Sequence, residues 1–508
     1  MRVVTDDLLD SAALSRVVSP RAGLVLERAD GRPSKSDVLV FEAEEGPFRP
    51  YRRTIEIQLA DHDLHHVRQV VEYRADIPYF GWLFDLLARR HLGALGSGGS
   101  RSPWWSPPER LDAHAARALA SLCALSVVLG YLGTLLTQTM TFAAAEFGAD
   151  KSAQGVALAV VRADVVLAVG VVAWADRRGR KGVLVLASAA GCAVTATGAV
   201  APSLFLLAAS QVAARGLVTA AVVIVGIVAA EEMPAGSRAY AVSLMAMSAA
   251  LGAGLAAVFL LPVADVAEPA WRLLFALALT GLPLVASVSR RLPESRRFQA
   301  AHAQAPMAGH GRRFLLLGVS GFLLNMFLAP AAQFSNEYLR TERGFSAGRI
   351  ALFTLLTATP GSIGIIAGGR LAERGRRLVA AVGVVGGVGA TVLMYLASGW
   401  PLWAWSVTGS ILGAATVPAL GVYGPELFPT SLRGRANGLI AAPARLGSVA
   451  GLLIVGHLAA SSDSLGPAMA LLALGPAVLA VAVVVAYPET AHRELEELNP
   501  EDAPDAAR

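Results

Sequence analysis

Asp176-Arg177-Arg178-Gly179-Arg180-Lys181 closes one long apolar run of this chain and opens the next. In the second half, Glu373-Arg374-Gly375-Arg376-Arg377 does the same. A short basic turn between two membrane-length segments, repeated once per half, marks a membrane protein built from two related halves.

The composition agrees. Of 508 residues, 55% are apolar and 16% charged, and the mean hydropathy is +0.54. A soluble domain averages about 25% charged residues. One chain cannot hide this much apolar surface from water, so its solvent is lipid. The net charge of +5 sits in short arginine turns, a topogenic pattern rather than a nucleic-acid patch, and no nucleic-acid partner is expected. Cys123 and Cys192 fall inside apolar segments, so neither a disulfide framework nor a metal site follows. Met1 to Asp7 lacks the apolar stretch of a cleaved signal peptide.

From Ala115 onward twelve apolar segments are predicted, near 115–144, 153–175, 182–201, 203–230, 239–262 and 271–289, then 314–336, 349–371, 378–398, 401–424, 436–460 and 466–487. Each approaches or exceeds the roughly 20 residues that span a 30 Å core. The domain reading is therefore a first six-helix half over 113–289, an inter-half loop over 290–313, a second half over 314–488 and a tail over 489–508. Lys and Arg crowd the turns after even-numbered segments, whereas Lys151, Arg272, Arg340, Arg343 and Arg349 occupy the opposite turns. That bias places both termini in the cytoplasm, with the plasma membrane as the expected location.

Residues 1–112 differ. Tyr51 to Leu59 and Leu64 to Tyr73 alternate as strands do, and Tyr79 to Leu92 reads as an amphipathic helix with Trp82, Leu83, Phe84, Leu86 and Leu87. Gly93 to Pro108 is rich in Gly, Ser and Pro, as linkers are. The expectation is a small α+β cytoplasmic accessory domain; strands followed by a helix resemble part of a helix-grip lipid-binding fold.

The paired turns resemble the hallmark loop of the major facilitator superfamily, G-x-x-x-D-R-x-G-R-[KR]. Gly369 to Arg377 matches with Glu373 as the acid and one spacer lost; Val172 to Lys181 matches from Asp176 onward. Leu292 to Phe298 resembles the P-E-S-P-R-W motif of its sugar and organic-ion branches. Pro425 to Gly434 resembles their E-x-[FY]-P-T-x-x-R motif, and Pro488 to Glu497 their P-E-T-K-G ending. Glu231 to Arg238 is a first-half counterpart of the Glu426 motif. The resemblance implies an all-α polytopic fold of twelve transmembrane helices that works by alternating access, usually as a monomer. It also implies a conformational gate at Asp176, Arg177, Gly179, Arg180, Gly369, Glu373, Arg374, Gly375, Arg377 and Arg433, with Glu373 and Arg377 as second-half partners of Asp176 and Arg180. The alternative is that the arginines only set topology.

Ionisable residues inside a membrane are rare and functional by default. Arg162, Asp164, Arg215 and Arg445 all fall within predicted segments. Three arginines against one acid suit a cavity that takes an anion; the alternative is a structural network neutralised by Asp164. On a continuous helix, residues 162 and 164 stand about 200° apart, so at most one faces the cavity. Asn325, Gln333 and Tyr423 complete the candidate cavity, with Asn336, Tyr338, Tyr131 and Gln138 as further lining residues. Asp164, Glu231 and Glu426 are the candidates for proton coupling, with His457 behind them. The first segment carries no acid, unlike many organic-acid symporters of the superfamily, and Phe322 to Phe327 replaces the glutamine-rich run of hexose transporters.

The expected function is secondary transport of a small organic solute, an anion or metabolite ahead of a sugar, with protons as a possible co-substrate and no cofactor. Proton-driven drug efflux and a sugar porter are rivals, and a membrane-tethered sensor using residues 1–112 is the alternative of another class. No nucleotide-binding loop or hydrolase motif appears, so neither an ATP-driven pump nor an enzyme is expected.

Overall fold

The computed structural model describes residues 1–30, 38–61, 64–95, 102–103, 105–149, 157, 160–264, 271–299, 306–345, 347–461 and 464–502. It separates into two compact units. One comprises Met1–Leu122 with Arg291–Pro293, and the other Cys123–Arg290 with Glu294–Arg508.

The first unit holds β1 (Arg2–Asp10), α1 (Ser11–Val17), β2 (Leu26–Ala29), β3 (Val38–Glu45), β4 (Phe48–Asp61), β5 (Leu64–Ala75) and α2 (Gly81–Gly93). The strands form one antiparallel sheet in the order β1-β5-β4-β3-β2. The two alternating stretches read from sequence are β4 and β5; three further strands flank them. Ile55, Val67, Val71 and Tyr73 are buried, but the same interior holds charge. Arg53 and Glu27 pair at 2.5 Å with side chains 1% and 0% exposed. Arg21 donates to Gln69 Oε1 and to the Leu92 carbonyl of α2, and the Tyr51 hydroxyl donates to Glu27. Burial, then the Glu27 charge, pushes the Tyr51 hydroxyl well up, so it stays a protonated donor. The expected linker is partly structured: Trp105 packs edge-on against Phe84 of α2 at 5.4 Å.

The membrane region is helical. Its segments are α3 (Ala113–Glu146), α4 (Asp164–Arg178), α5 (Arg180–Ala196), α6 (Leu204–Glu232), α7 (Arg238–Ala264), α8 (Trp271–Arg291), α9 (Gly311–Gln333), α10 (Leu352–Ala372), α11 (Arg376–Leu396), α12 (Trp400–Glu426), α13 (Arg433–Ser461) and α14 (Gly466–Ala486). Among the described residues, eleven are long and apolar enough to cross a membrane. α4, the other segment, begins at Asp164, because Arg162 and Ala163 form a turn; residues 151–156 and 158–159 lie outside the described residues. Prolines sit inside α9, α12 and α13 at Pro330, Pro418 and Pro443, where packed neighbours make such breaks tolerable. Leucines and valines such as Val166, Leu378 and Leu453 face outward, as a lipid solvent requires.

Candidate functional site

The four intramembrane charges come together. α13 packs against α4 and α6, which brings Arg445 to Asp164 at 3.2 Å. Thr219, one turn beyond Arg215 on α6, donates to the same Asp164 oxygen at 3.1 Å. Arg215 donates to the Gly133 carbonyl of α3 at 3.1 Å and interacts electrostatically with Asp164, Arg445 and Arg162. Arg162 interacts with Arg445 and Asp164. The helical-wheel argument separating residues 162 and 164 therefore does not hold: the turn at Arg162 takes it off the helix that Asp164 starts.

Asp164 is 1% exposed, and its Oδ1 has no hydrogen-bond partner among the described residues. At 1.5 Å per residue, the cluster lies about 18–26 Å along α4, α6 and α13 from the end that carries the basic turns. The arrangement is three guanidinium groups around one carboxylate, joined from both halves. Arg162, Arg215 and Arg445 are half-buried, so they keep donors for a further acceptor.

Among the described residues, the other proposed residues make no hydrogen bond or ion pair to this cluster. Asn325 donates to Gly321 O of its own helix, Gln333 is exposed at the end of α9, and Gln138 and His457 are exposed. Tyr131 donates to the Leu274 carbonyl. Tyr338 is buried with its hydroxyl on the Met394 carbonyl, and the Asn336 side chain lies outside the described residues. Tyr423 is fully buried beside Tyr487, next to Glu426 at the basic end.

The basic end carries a second polar system with internal two-fold logic. Asp176 accepts the amides of Gly434 and Arg435, the first turn of α13 in the other half. Glu373 accepts those of Ala239 and Tyr240, the first turn of α7. Each carboxylate thus caps a helix across the boundary, where unpaired amides and the helix dipole favour negative charge. Glu231 holds Arg180 of its own half at 3.5 Å and Arg433 of the other at 2.7 Å. Glu426 holds Arg376 of its own half, and Arg238 of the other at 3.5 Å. Glu294 caps α5 through the Arg180 and Lys181 amides, as Glu489 caps α11 through those of Arg376 and Arg377. Ser295 donates to Glu231, and Thr490 accepts from Arg376.

Two glycines permit these approaches. Gly179 has φ +104°, and a Cβ on Gly369 would lie 2.5 Å from Ser243 Oγ of α7. The expected partnership of Glu373 with Arg377 is corrected. Arg376 is the fully buried arginine on Glu373, at 3.1 Å, because loss of one spacer moves the arginine after the glycine into Arg180's place. Arg177, Arg178 and Arg374 are exposed and Gly375 is extended. Sequence reasoning also missed the tail. Asp502 meets Arg433 at 3.2 Å and Asn499 donates to the Glu426 carbonyl at 2.7 Å; no motif pointed to them.

At the opposite end, among the described residues, two polar clasps lie each within one half. Glu146 binds Trp271 Nε1 and Arg272, each at 2.7 Å, while Glu342 accepts from Ser464 and the Leu465 amide.

Comparison with known proteins agrees with this fold. A family model described as Major Facilitator Superfamily matches residues 314–506, and one described as Sugar (and other) transporter matches 118–311. A search of curated proteins finds no significant match. Among solved structures, the proton:xylose symporter XylE bound to 6-bromo-6-deoxy-D-glucose superposes with TM-score 0.67 at 16% identity, over 76% of this chain and 98% of that one. The human organic anion transporter MFSD10 (TETRAN) gives 0.59 at 17%, over 74% and 100%. The E. coli fucose:proton symporter FucP gives 0.60 at 14%, over 74% and 100%. At these identities the likeness is one of fold.

Proposed function

Because the chain belongs to the major facilitator superfamily, and so is a multi-pass secondary transporter, we propose that its cargo is a small organic anion bound at Arg162, Arg215 and Arg445. The observation that carries this reading is the surplus of guanidinium over carboxylate in a cluster joined from both halves. Asp164 serves as the resident counter-ion: an incoming carboxylate competes with it for Arg445, and a proton on Asp164 releases Arg445 to the cargo. Proton coupling through Asp164 follows from that exchange, whereas Glu231 and Glu426 belong to the gate.

The basic turns face the cytoplasm in this reading, with both termini inside, a monomeric chain and the plasma membrane as its location. The cross-half caps then seal the cytoplasmic side, and the cargo enters from the other. The match of residues 118–311 to the sugar transporter model favours a second reading, a sugar porter.

A thermal-shift panel on the purified chain separates the two. Organic acids, sugars and lipophilic cations are tested at two pH values, since a ligand at 100 times its Kd stabilises by about 2.7 kcal/mol. An organic anion should stabilise the parent but not Arg215→Ala, and in Asp164→Asn its effect should lose pH dependence. Stabilisation by a sugar, unchanged in Arg215→Ala, would move the assignment to the sugar porter. Stabilisation by cations alone would defeat both.

A further inference from the structure

The amino-terminal unit lies almost wholly outside both family matches, which begin at residue 118. On its helix α2, Ala88 and Leu92 are buried. Trp82, Leu83, Leu86 and Leu87 are 73%, 46%, 62% and 38% exposed. These four lie at i, i+1, i+4 and i+5, one continuous strip, and Arg89 and Arg90 follow it, both exposed.

We propose that this strip of α2 lies in the headgroup layer of the bilayer, with Trp82 and the leucines in the acyl boundary and Arg89 and Arg90 on anionic headgroups. Three observations point to lipid rather than another protein. First, Asp76, five residues before α2, pairs with Arg117 at 3.2 Å. Arg117 sits in the second turn of membrane helix α3, inside the same compact unit. The start of α2 is therefore tied to the place where the chain enters the membrane. Second, the strip has the make-up of interfacial helices: an indole beside leucines, flanked by cations, on a segment too short to span. Third, the two arginines complement the negative surface of an anionic leaflet, where each basic residue is worth about 1 kcal/mol.

The unit's interior does not compete for this role. Arg21, Glu27, Arg53 and Gln69 fill the space between sheet and α2. Lipid contact is thus assigned to the outer face of the helix rather than to an internal pocket.

The test uses the full chain in vesicles, with Cys123 and Cys192 replaced by alanine. A nitroxide is placed at Leu86→Cys or, as a solvent control, at Glu56→Cys on β4. Collision with oxygen is compared with collision with a polar nickel chelate. Position 86 should favour oxygen and position 56 the chelate. The preference at 86 should weaken in Arg89→Glu/Arg90→Glu, and in phosphatidylcholine vesicles compared with phosphatidylglycerol-containing ones. Chelate preference at both positions would overturn the proposal. So would dipolar broadening between labels at 86 on separate molecules, which would assign the strip to a second copy. Leu86 is exposed, so its replacement leaves the core intact, and retained binding of Arg53 by Glu27, read as unchanged protease resistance of the unit, confirms folding of each variant.

Discussion

The Glu231 carboxylate lies 2.7 Å from the Arg433 guanidinium, across the boundary between the two halves and 202 residues away in sequence. Its mirror is Glu426 with Arg238 at 3.5 Å. Both pairs are buried, so each ion depends on its partner for the solvation it has lost. The halves therefore hold together at this end through charges that cannot be left alone, and opening must carry them into water together.

Arg433→Ala leaves Glu231 buried with the Ser295 hydroxyl and the more distant Arg180 guanidinium. Breaking a buried pair from one side costs about 3–5 kcal/mol, enough to favour an open basic end. Ser243 of α7, which is 1% exposed, reports closure. A Ser243→Cys thiol should resist alkylation in the parent and react in the Arg433→Ala background. An unreactive thiol in both would show that this pair does not hold the end shut.

Gly369→Val tests closure by bulk instead of charge. Its Cβ would sit 2.5 Å from Ser243 Oγ and 3.1 Å from the Ala239 carbonyl, well inside contact distance. The variant should fold, since α10 already carries the β-branched Ile363, Ile365 and Ile366, but hold the basic end open and lose most transport. Normal transport in proteoliposomes would mean that α7 and α10 need not approach this closely.

Glu373 gives closure a pH dependence. Burial raises its carboxyl above the ordinary value near 4.5, against the opposing pull of Arg376 and two amides. The closed form therefore binds the proton more tightly than a form in which Glu373 meets water. This group's contribution to closure is fully present below the ordinary value and is lost as pH rises through the raised one. Spin labels at the exposed Arg178 and Arg374 should report a larger closed population as pH falls toward 4.5, and Glu373→Gln should flatten that slope. A slope of opposite sign would contradict the assignment.

In the amino-terminal unit, Arg53→Met strands Glu27 in the interior and should destabilise the unit by about 3–5 kcal/mol. Limited proteolysis of the full chain should then cut within residues 1–95 while sparing the membrane helices. The double variant Arg53→Met/Glu27→Leu removes both charges and should recover much of the resistance. Equal resistance in the parent and in Arg53→Met would make the pair dispensable.

Hydropathy and the repeated turns by themselves determined the membrane class, the two halves and nearly every segment, because solvation by lipid acts on each stretch locally. They also marked Asp176, Glu231, Glu373, Glu426 and Arg433 as belonging to one end. β4 and β5 were legible from alternation. β1 was not, because its apolar residues come in adjacent pairs, Val3-Val4 and Leu8-Leu9, around Asp6 and Asp7 rather than alternating. Only the tertiary structure decided which charges meet. Asp164 with Arg445, Asp176 with the start of α13, and Arg376 rather than Arg377 with Glu373 all depend on how helices pack and where a turn ends. A charge in sequence carries no record of its partner; the low-dielectric interior, which makes an unpaired charge costly, selects the partner only once the helices are in place.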